Sequence, residues 1–221
     1  MKESIIFAGY RGWALELYDR VREKNVSFNW YLAESPEQLS DLSQIDSACM
    51  IILAGWSWIL PKEIVSSSLV LGLHPSDLPD YAGGSPIQNQ VLDGLTSTKM
   101  TLFKLDEKID AGDVLYKETM DLAGGIRDIF REMVERGEAV IDKLLIDYPD
   151  LEYIAQEGSG KKCFRIQPDQ SRLRRDDINN MSVRDLYNFI RCREDPYPNA
   201  FLEDASGKLL FKGVEFVSSD D

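Results

Sequence analysis

The run Ala48-Cys49-Met50-Ile51-Ile52-Leu53-Ala54 holds seven apolar residues with no polar interruption. A strand with one wet face alternates apolar and polar residues, so a strand without alternation must be covered on both faces. Further strands are expected at 4–8, 28–32 and 69–73. Between the first two, Leu15, Leu17, Tyr18 and Val21 recur at helical spacing over 13–23. Strands separated by helical crossovers predict a doubly wound, mostly parallel sheet, an α/β fold. In such a sheet ligands sit beyond the carboxyl ends of the strands. Two loops leave those ends with unusual chemistry, 55–62 and 74–87, and the site is expected there.

Downstream, 99–105 and 114–120 read as two strands joined by a tight turn around Asp110-Ala111-Gly112-Asp113. A helix over 126–146 follows, with Ile129, Met133, Val140, Leu144 and Leu145 mostly on one stripe. Pro149 stops it, because proline just past the last turn cannot continue a helix. The α/β unit is therefore expected over 1–150. A linker at 156–160 and a small α+β extension over 151–221 complete the chain, with a helix at 183–191 and short strands near 200–202 and 209–211.

The formal net charge of −13 argues against a nucleic-acid partner, since gripping a phosphate backbone requires a basic face. The one basic cluster, Arg172, Arg174 and Arg175, is followed at once by two aspartates and reads as solvated surface. No apolar run approaches the roughly 18 residues of a membrane span. The amino end leads straight into a strand pattern rather than a secretory h-region, so a cytoplasmic location without membrane contact is expected. Cys49, Cys163 and Cys192 form no C-x-x-C pair and are expected as reduced thiols, with no metal site. Gly9-Tyr10-Arg11-Gly12 after the first strand lacks the middle glycine of a dinucleotide fingerprint, because Arg11 stands there.

His74 is the only histidine. It ends a central strand, leads into the rigid turn Pro75-Ser76-Asp77-Leu78-Pro79, and is followed by Gly83-Gly84-Ser85-Pro86 opening a helix. Exposed N–H groups there suit an oxyanion or an anionic ligand. Asp110 sits in an acid-rich turn, Asp106-Glu107-Lys108-Ile109-Asp110-Ala111-Gly112-Asp113, which reads either as a surface turn or as a working one.

Three stretches together are similar to the core of the folate-dependent formyltransferases. They are Leu73-His74-Pro75-Ser76-Asp77-Leu78-Pro79, Tyr81-Ala82-Gly83-Gly84-Ser85-Pro86-Ile87-Gln88, and Asp106 through Leu115. That family includes the glycinamide ribonucleotide, methionyl-tRNA and nucleotide-sugar enzymes. The resemblance reaches upstream to Trp58-Ile59-Leu60-Pro61-Lys62, and Asp195-Pro196-Tyr197-Pro198-Asn199 looks like the small carboxyl-terminal domain of the sugar and tRNA members.

The resemblance implies an Asn-His-Asp catalytic group, with the histidine on His74 and the aspartate on Asp110. His74 would hydrogen-bond the developing oxyanion while Asp110 orients it and relays protons. The family asparagine falls on Gly72, which has no side chain, and the arginine of the tyrosine-arginine-glycine motif falls on Ala82. Gln88 and a water are the expected replacement donors, ahead of the Asn89 side chain and the backbone N–H groups near Gly83 and Gly84. The implied donor is 10-formyltetrahydrofolate, its head between Trp58, Ile59 and Leu60 on one side and Asp106 and Ile109 on the other. Ser76, Tyr81, Gly83, Gly84, Ser85 and Pro86 are expected to hold the acceptor. Net charge disfavours tRNA as that acceptor. A nucleotide-linked amino deoxy sugar of bacterial surface glycans is the expected one, with a homodimer contact through the carboxyl-terminal region. Methionyl-tRNA-type or peptide-tailoring transfer, and a catalytically impaired folate- or sugar-binding relative, stay open.

Overall fold

The structure is a computed structural model describing residues 2–45 and 48–218. The chain runs β1 (Ser4–Ala8), α1 (Gly12–Lys24), β2 (Asn29–Ala33), α2 (Pro36–Leu42), β3 (Ala48–Ala54), α3 (Lys62–Ser67) and β4 (Val70–His74). It continues through β5 (Ala82–Gly83), α4 (Pro86–Leu92), β6 (Ser97–Lys104), β7 (Val114–Asp121) and α5 (Ile126–Asp147). The remainder is β8 (Lys162–Cys163), α6 (Arg175–Asn180), α7 (Val183–Arg191), β9 (Phe201–Asp204) and β10 (Gly207–Leu210).

Six strands form one sheet in the order β2-β1-β3-β4-β6-β7. The first four are parallel, whereas β6 runs antiparallel to both β4 and β7. The β6–β7 connection is too short for a crossover, which needs a dozen residues or more, so those two strands must be antiparallel. Side chains alternate across the pleat, and both faces are covered. Ile5, Phe7, Met50, Ile52, Leu71 and Leu73 pack with α1 and α5. Ile6, Ala8, Ile51, Leu53 and Val70 pack on the opposite side with Leu39 and Ile64 from α2 and α3. This is the double burial that the unbroken apolar run demanded; each such side chain contributes roughly 1.5–3 kcal/mol.

The helices α2 and α3 have no counterpart among the sequence expectations. For α2 a signal was present: Ser35 caps the helix by accepting from the Gln38 N–H at 3.3 Å, and Pro36 stands at its first turn. At seven and six residues both helices are too short to show a periodic stripe.

The segment after α5 pairs first with the start of β7 and then with β5, beyond the carboxyl end of β4. Ile154 exchanges backbone hydrogen bonds with Val114, and β8 pairs with β5. The 156–160 stretch, expected as a linker, is fastened at its first residue: Gln156 Nε2 donates to the carbonyls of Asp110 (3.0 Å) and Gly112 (2.7 Å). Beyond it, Leu173, Phe189, Ile190 and Ala200 form a small cluster, while Cys192 is buried in the main core. Among the described residues no helix is long and apolar enough to cross a membrane.

Candidate active site

His74 ends β4 and is buried. Its Nε2 lies 2.9 Å from the Tyr81 carbonyl. A carbonyl only accepts, so Nε2 carries the proton and Nδ1 keeps the lone pair. Nδ1 faces Asp110 Oδ2 at 3.6 Å, beyond a hydrogen bond but close enough to stabilise a charged imidazolium. The same carboxylate oxygen accepts the Gly83 N–H at 2.9 Å. Asp110 itself adopts φ 51°, a left-handed conformation that aspartate tolerates, and Gln156 holds its carbonyl.

The 81–85 loop is shaped by positive φ at Tyr81, Gly83 and Ser85. At Gly83 a Cβ would lie 2.2 Å from the Cys163 carbonyl, so glycine is required for the β5–β8 contact. The Tyr81 hydroxyl donates to Asp93 at 2.7 Å, and Lys161 pairs with the same carboxylate. Burial, with Asp93 alongside, pushes the Tyr81 phenol up to about 12. Burial alone would raise Asp93, but the Lys161 and Tyr81 hydrogen bonds carry its carboxyl below the usual value. Cys163 Sγ shares the Tyr81 carbonyl, and burial lifts that thiol to about 11.

A cavity of about 1050 Å³ opens beside His74. Trp58, Ile59, Leu60, Asp106, Ile109 and Asp110 line it. Ile59 and Ile109 are 91% and 71% exposed, an apolar pair at the mouth. Gly83, Gly84, Ser85, Pro86 and Gln88 line the wall next to His74. Gln88 is buried, and its Nε2 donates to the Cys192 carbonyl at 3.2 Å, leaving its second N–H uncommitted to that bond. Ser76 and Tyr81 do not line the cavity. The Ser76 hydroxyl donates to the Asp80 carbonyl at 2.6 Å and closes the turn, and Tyr81 reaches the site only through its carbonyl.

Phe103 and Arg165, which no motif marked, also line the cavity. Gly72 is the cross-strand partner of Phe103, and a Cβ at 72 would meet the Phe103 ring at 2.7 Å and Leu105 at 3.0 Å. The space an asparagine side chain would need is therefore filled by Phe103. Trp56 lines the cavity with its indole N–H buried and without a hydrogen-bond partner among the described residues. Arg11 and Arg165 also line it, next to Tyr10 and Ser57 and so close to Trp58, whose ring lies 4.6 Å from that of Tyr10. Asn89, by contrast, gives its amide to the carbonyls of Gly84, Ser85 and Phe164 and is structural. Among the described residues no group of three or more His, Cys, Asp or Glu is placed to hold a metal ion.

A methionyl-tRNA formyltransferase of a Nitratiruptor species is 30% identical over 174 residues, 77% of this chain and 55% of that relative. The chain thus spans about half the length of that curated relative. Among solved structures, a methionyl-tRNA formyltransferase from Clostridium thermocellum superposes with a TM-score of 0.85 at 28% identity, covering 97% of this chain and 94% of that one. A sugar N-formyltransferase from a Shewanella species shares the fold with a TM-score of 0.76 at 15% identity, covering 99% of this chain and all of the other. The formyl transferase family model matches residues 18–146, more than half the sequence and most of the span from α1 to the end of α5. The chain belongs to the formyl transferase family.

Proposed function

We infer that the chain is an N-formyltransferase that moves a formyl group from 10-formyltetrahydrofolate to the amine of a nucleotide-linked amino deoxy sugar. The observation that carries this reading is the His74–Asp110 pair at the wall of one large cavity, in a chain of this family. The donor end suits a folate head. Ile59, Leu60 and Ile109 offer apolar faces to a flat ring, and the buried, orphaned Trp56 N–H offers a donor that a polar ring edge would satisfy.

When bound, the folate supplies an electrophilic formyl carbon. His74 Nδ1, its lone pair fixed by the Nε2–Tyr81 hydrogen bond, accepts the proton that the acceptor amine sheds on attack and returns it to the donor nitrogen that leaves as its bond to the formyl carbon breaks. Asp110, held by the Gly83 N–H, is the counter-ion of the resulting imidazolium. This differs from the oxyanion-binding role that the resemblance implied for His74, because its N–H is already engaged. The second Gln88 N–H serves the negative charge that develops on the carbonyl oxygen, in place of the asparagine displaced by Phe103.

A sugar acceptor fits the walled cavity and the net charge of −13 better than tRNA does. The name of the Nitratiruptor relative favours a second reading, transfer to methionyl-tRNA. Mass spectrometry separates the two. The protein is incubated with 10-formyltetrahydrofolate and UDP- or dTDP-linked 3- and 4-amino-6-deoxy sugars, and in parallel with methionyl-tRNA. The expected result is a folate-dependent gain of one formyl group on a sugar, lost in His74→Ala and Asp110→Asn. Formylation of methionyl-tRNA alone would replace the sugar reading, and folate binding with no formylated acceptor would leave a binding protein.

A further inference from the structure

The crevice of an open α/β sheet lies where neighbouring strands lead off to opposite sides. Here that point is between β1 and β3, with β2 beyond one and β4 beyond the other. Arg11 closes the short turn after β1 and is the residue preceding α1. Arg165 reaches the same place from the strap after β8: its Nη2 donates to Ser57 Oγ at 3.0 Å, and the Tyr10 hydroxyl donates to that oxygen at 2.7 Å. Arg11 lies over the Tyr10 ring, 4.8 Å from its centroid. Both guanidiniums also act on the Tyr197 phenol, which burial raises and they pull back.

Neither guanidinium pairs with a carboxylate among the described residues, although the chain carries 38 Asp and Glu against 25 Lys and Arg. The carboxylates that line the cavity, Asp106, Glu107 and Asp110, all belong to the loop between β6 and β7. The first turn of α1 holds no acid and its cap makes no side-chain hydrogen bond, which adds positive partial charge beside Arg11. Two planar, permanently charged forks at one end of a cavity are matched by phosphoryl oxygens.

We propose that Arg11 and Arg165 clamp the diphosphate of the acceptor at the β1/β3 end of the cavity and so present its amine to His74. The proposal rests on the formyl-transfer reading and assigns the part of the acceptor that this reading leaves unplaced. Pro196, Tyr197 and Pro198 wall this end, and with the acidic surface they favour a small diphosphate over a polynucleotide.

Isothermal titration of the full chain with UDP, dTDP and 5-formyltetrahydrofolate tests it. One nucleoside diphosphate is expected to bind, and Arg11→Ala and Arg165→Ala should each weaken it by about tenfold or more. Folate affinity should hold in both variants. Arg174→Ala, in the exposed basic cluster, should change neither affinity. Folate binding with no nucleoside diphosphate bound, or nucleotide affinity retained in the Arg11→Ala/Arg165→Ala double variant, would overturn the clamp while formyl transfer stands. A wild-type chain that binds neither ligand would overturn both. Displacement of UDP or dTDP by tRNA at far lower concentration would overturn the small-molecule assignment.

Discussion

Positions 72 and 74 share one face of β4, and directly across from Gly72 on β6 stands Phe103. The pair is one packing unit, a ring seated over the residue that lacks a side chain. Gly72→Asn should therefore not restore a family-like donor. It should lose about 1–3 kcal/mol to overpacking. In urea melts, the double variant Gly72→Asn/Phe103→Ala should be less destabilised than the two single changes summed, by about 0.5–3 kcal/mol. Strict additivity would mean that the two positions are not coupled. Gln88 belongs to the same scale. Gln88→Leu keeps the volume and removes the N–H groups, so kcat should fall by about 10²–10³ with the folate KM nearly unchanged. A purely structural Gln88 would instead lower Tm and leave kcat per folded molecule alone.

The 81–85 loop is the element that converts the fold into a site, since its backbone supplies the partners of both His74 and Asp110. Gly83→Ala forces a Cβ onto the Cys163 carbonyl at a φ of 116°. The strained backbone and the lost β5–β8 contact should cost about 1–3 kcal/mol and should also shift the pH–rate profile, because the Asp110 anchor moves. A melt unchanged from wild type would contradict this. The same loop has its own pH dependence through Tyr81, Asp93 and Lys161. The Tyr81 phenol is raised from 10.0 to about 12, so its contribution is fully present below pH 10 and fades as pH climbs through 12. The Asp93 carboxyl is lowered, so its contribution is present above the usual carboxylate range and fades as pH falls through the lowered value. Tyr81→Phe should shrink the alkaline fall in Tm, which Tyr116, likewise raised to about 12 by burial beside Asp147, shares; an unchanged alkaline limb would place its origin elsewhere.

Across the whole molecule, the carboxyl-terminal segment and the sheet are joined by buried polar contacts. Arg191 is 5% exposed and gives its guanidinium to the carbonyls of Leu122 and Gly124, and to Asn188 Oδ1. Its neighbour Cys192 lies in the main core and holds Gln88. Arg191→Leu leaves those carbonyls unmet, at a cost of about 1–3 kcal/mol each. Because the α7 end also positions Gln88, kcat should drop together with Tm. A variant that melts early yet retains full kcat at low temperature would show that the segment does not reach the chemistry.

The sequence by itself determined the alternation of strands and helices and the double covering of β3, and it marked His74 and Asp110 as the candidate pair that the structure brings to 3.6 Å, because local periodicity records which faces are buried and a dense motif stands out from its surroundings. The 48–54 strand and the 183–191 helix fall on the residues expected. Short helices such as α2 and α3 lacked the length to show a stripe. What only the tertiary structure decided are the meetings between distant residues: Phe103 over Gly72, Gln156 on the Asp110 carbonyl, and Arg165 beside Arg11. The tautomer of His74 belongs with these, since it follows from a carbonyl that the 81–85 loop folds back toward the ring. Such contacts depend on sheet order, strand register and positive-φ turns, which no single stretch of chain encodes, and so the partners in the site emerge only when the whole sheet is assembled.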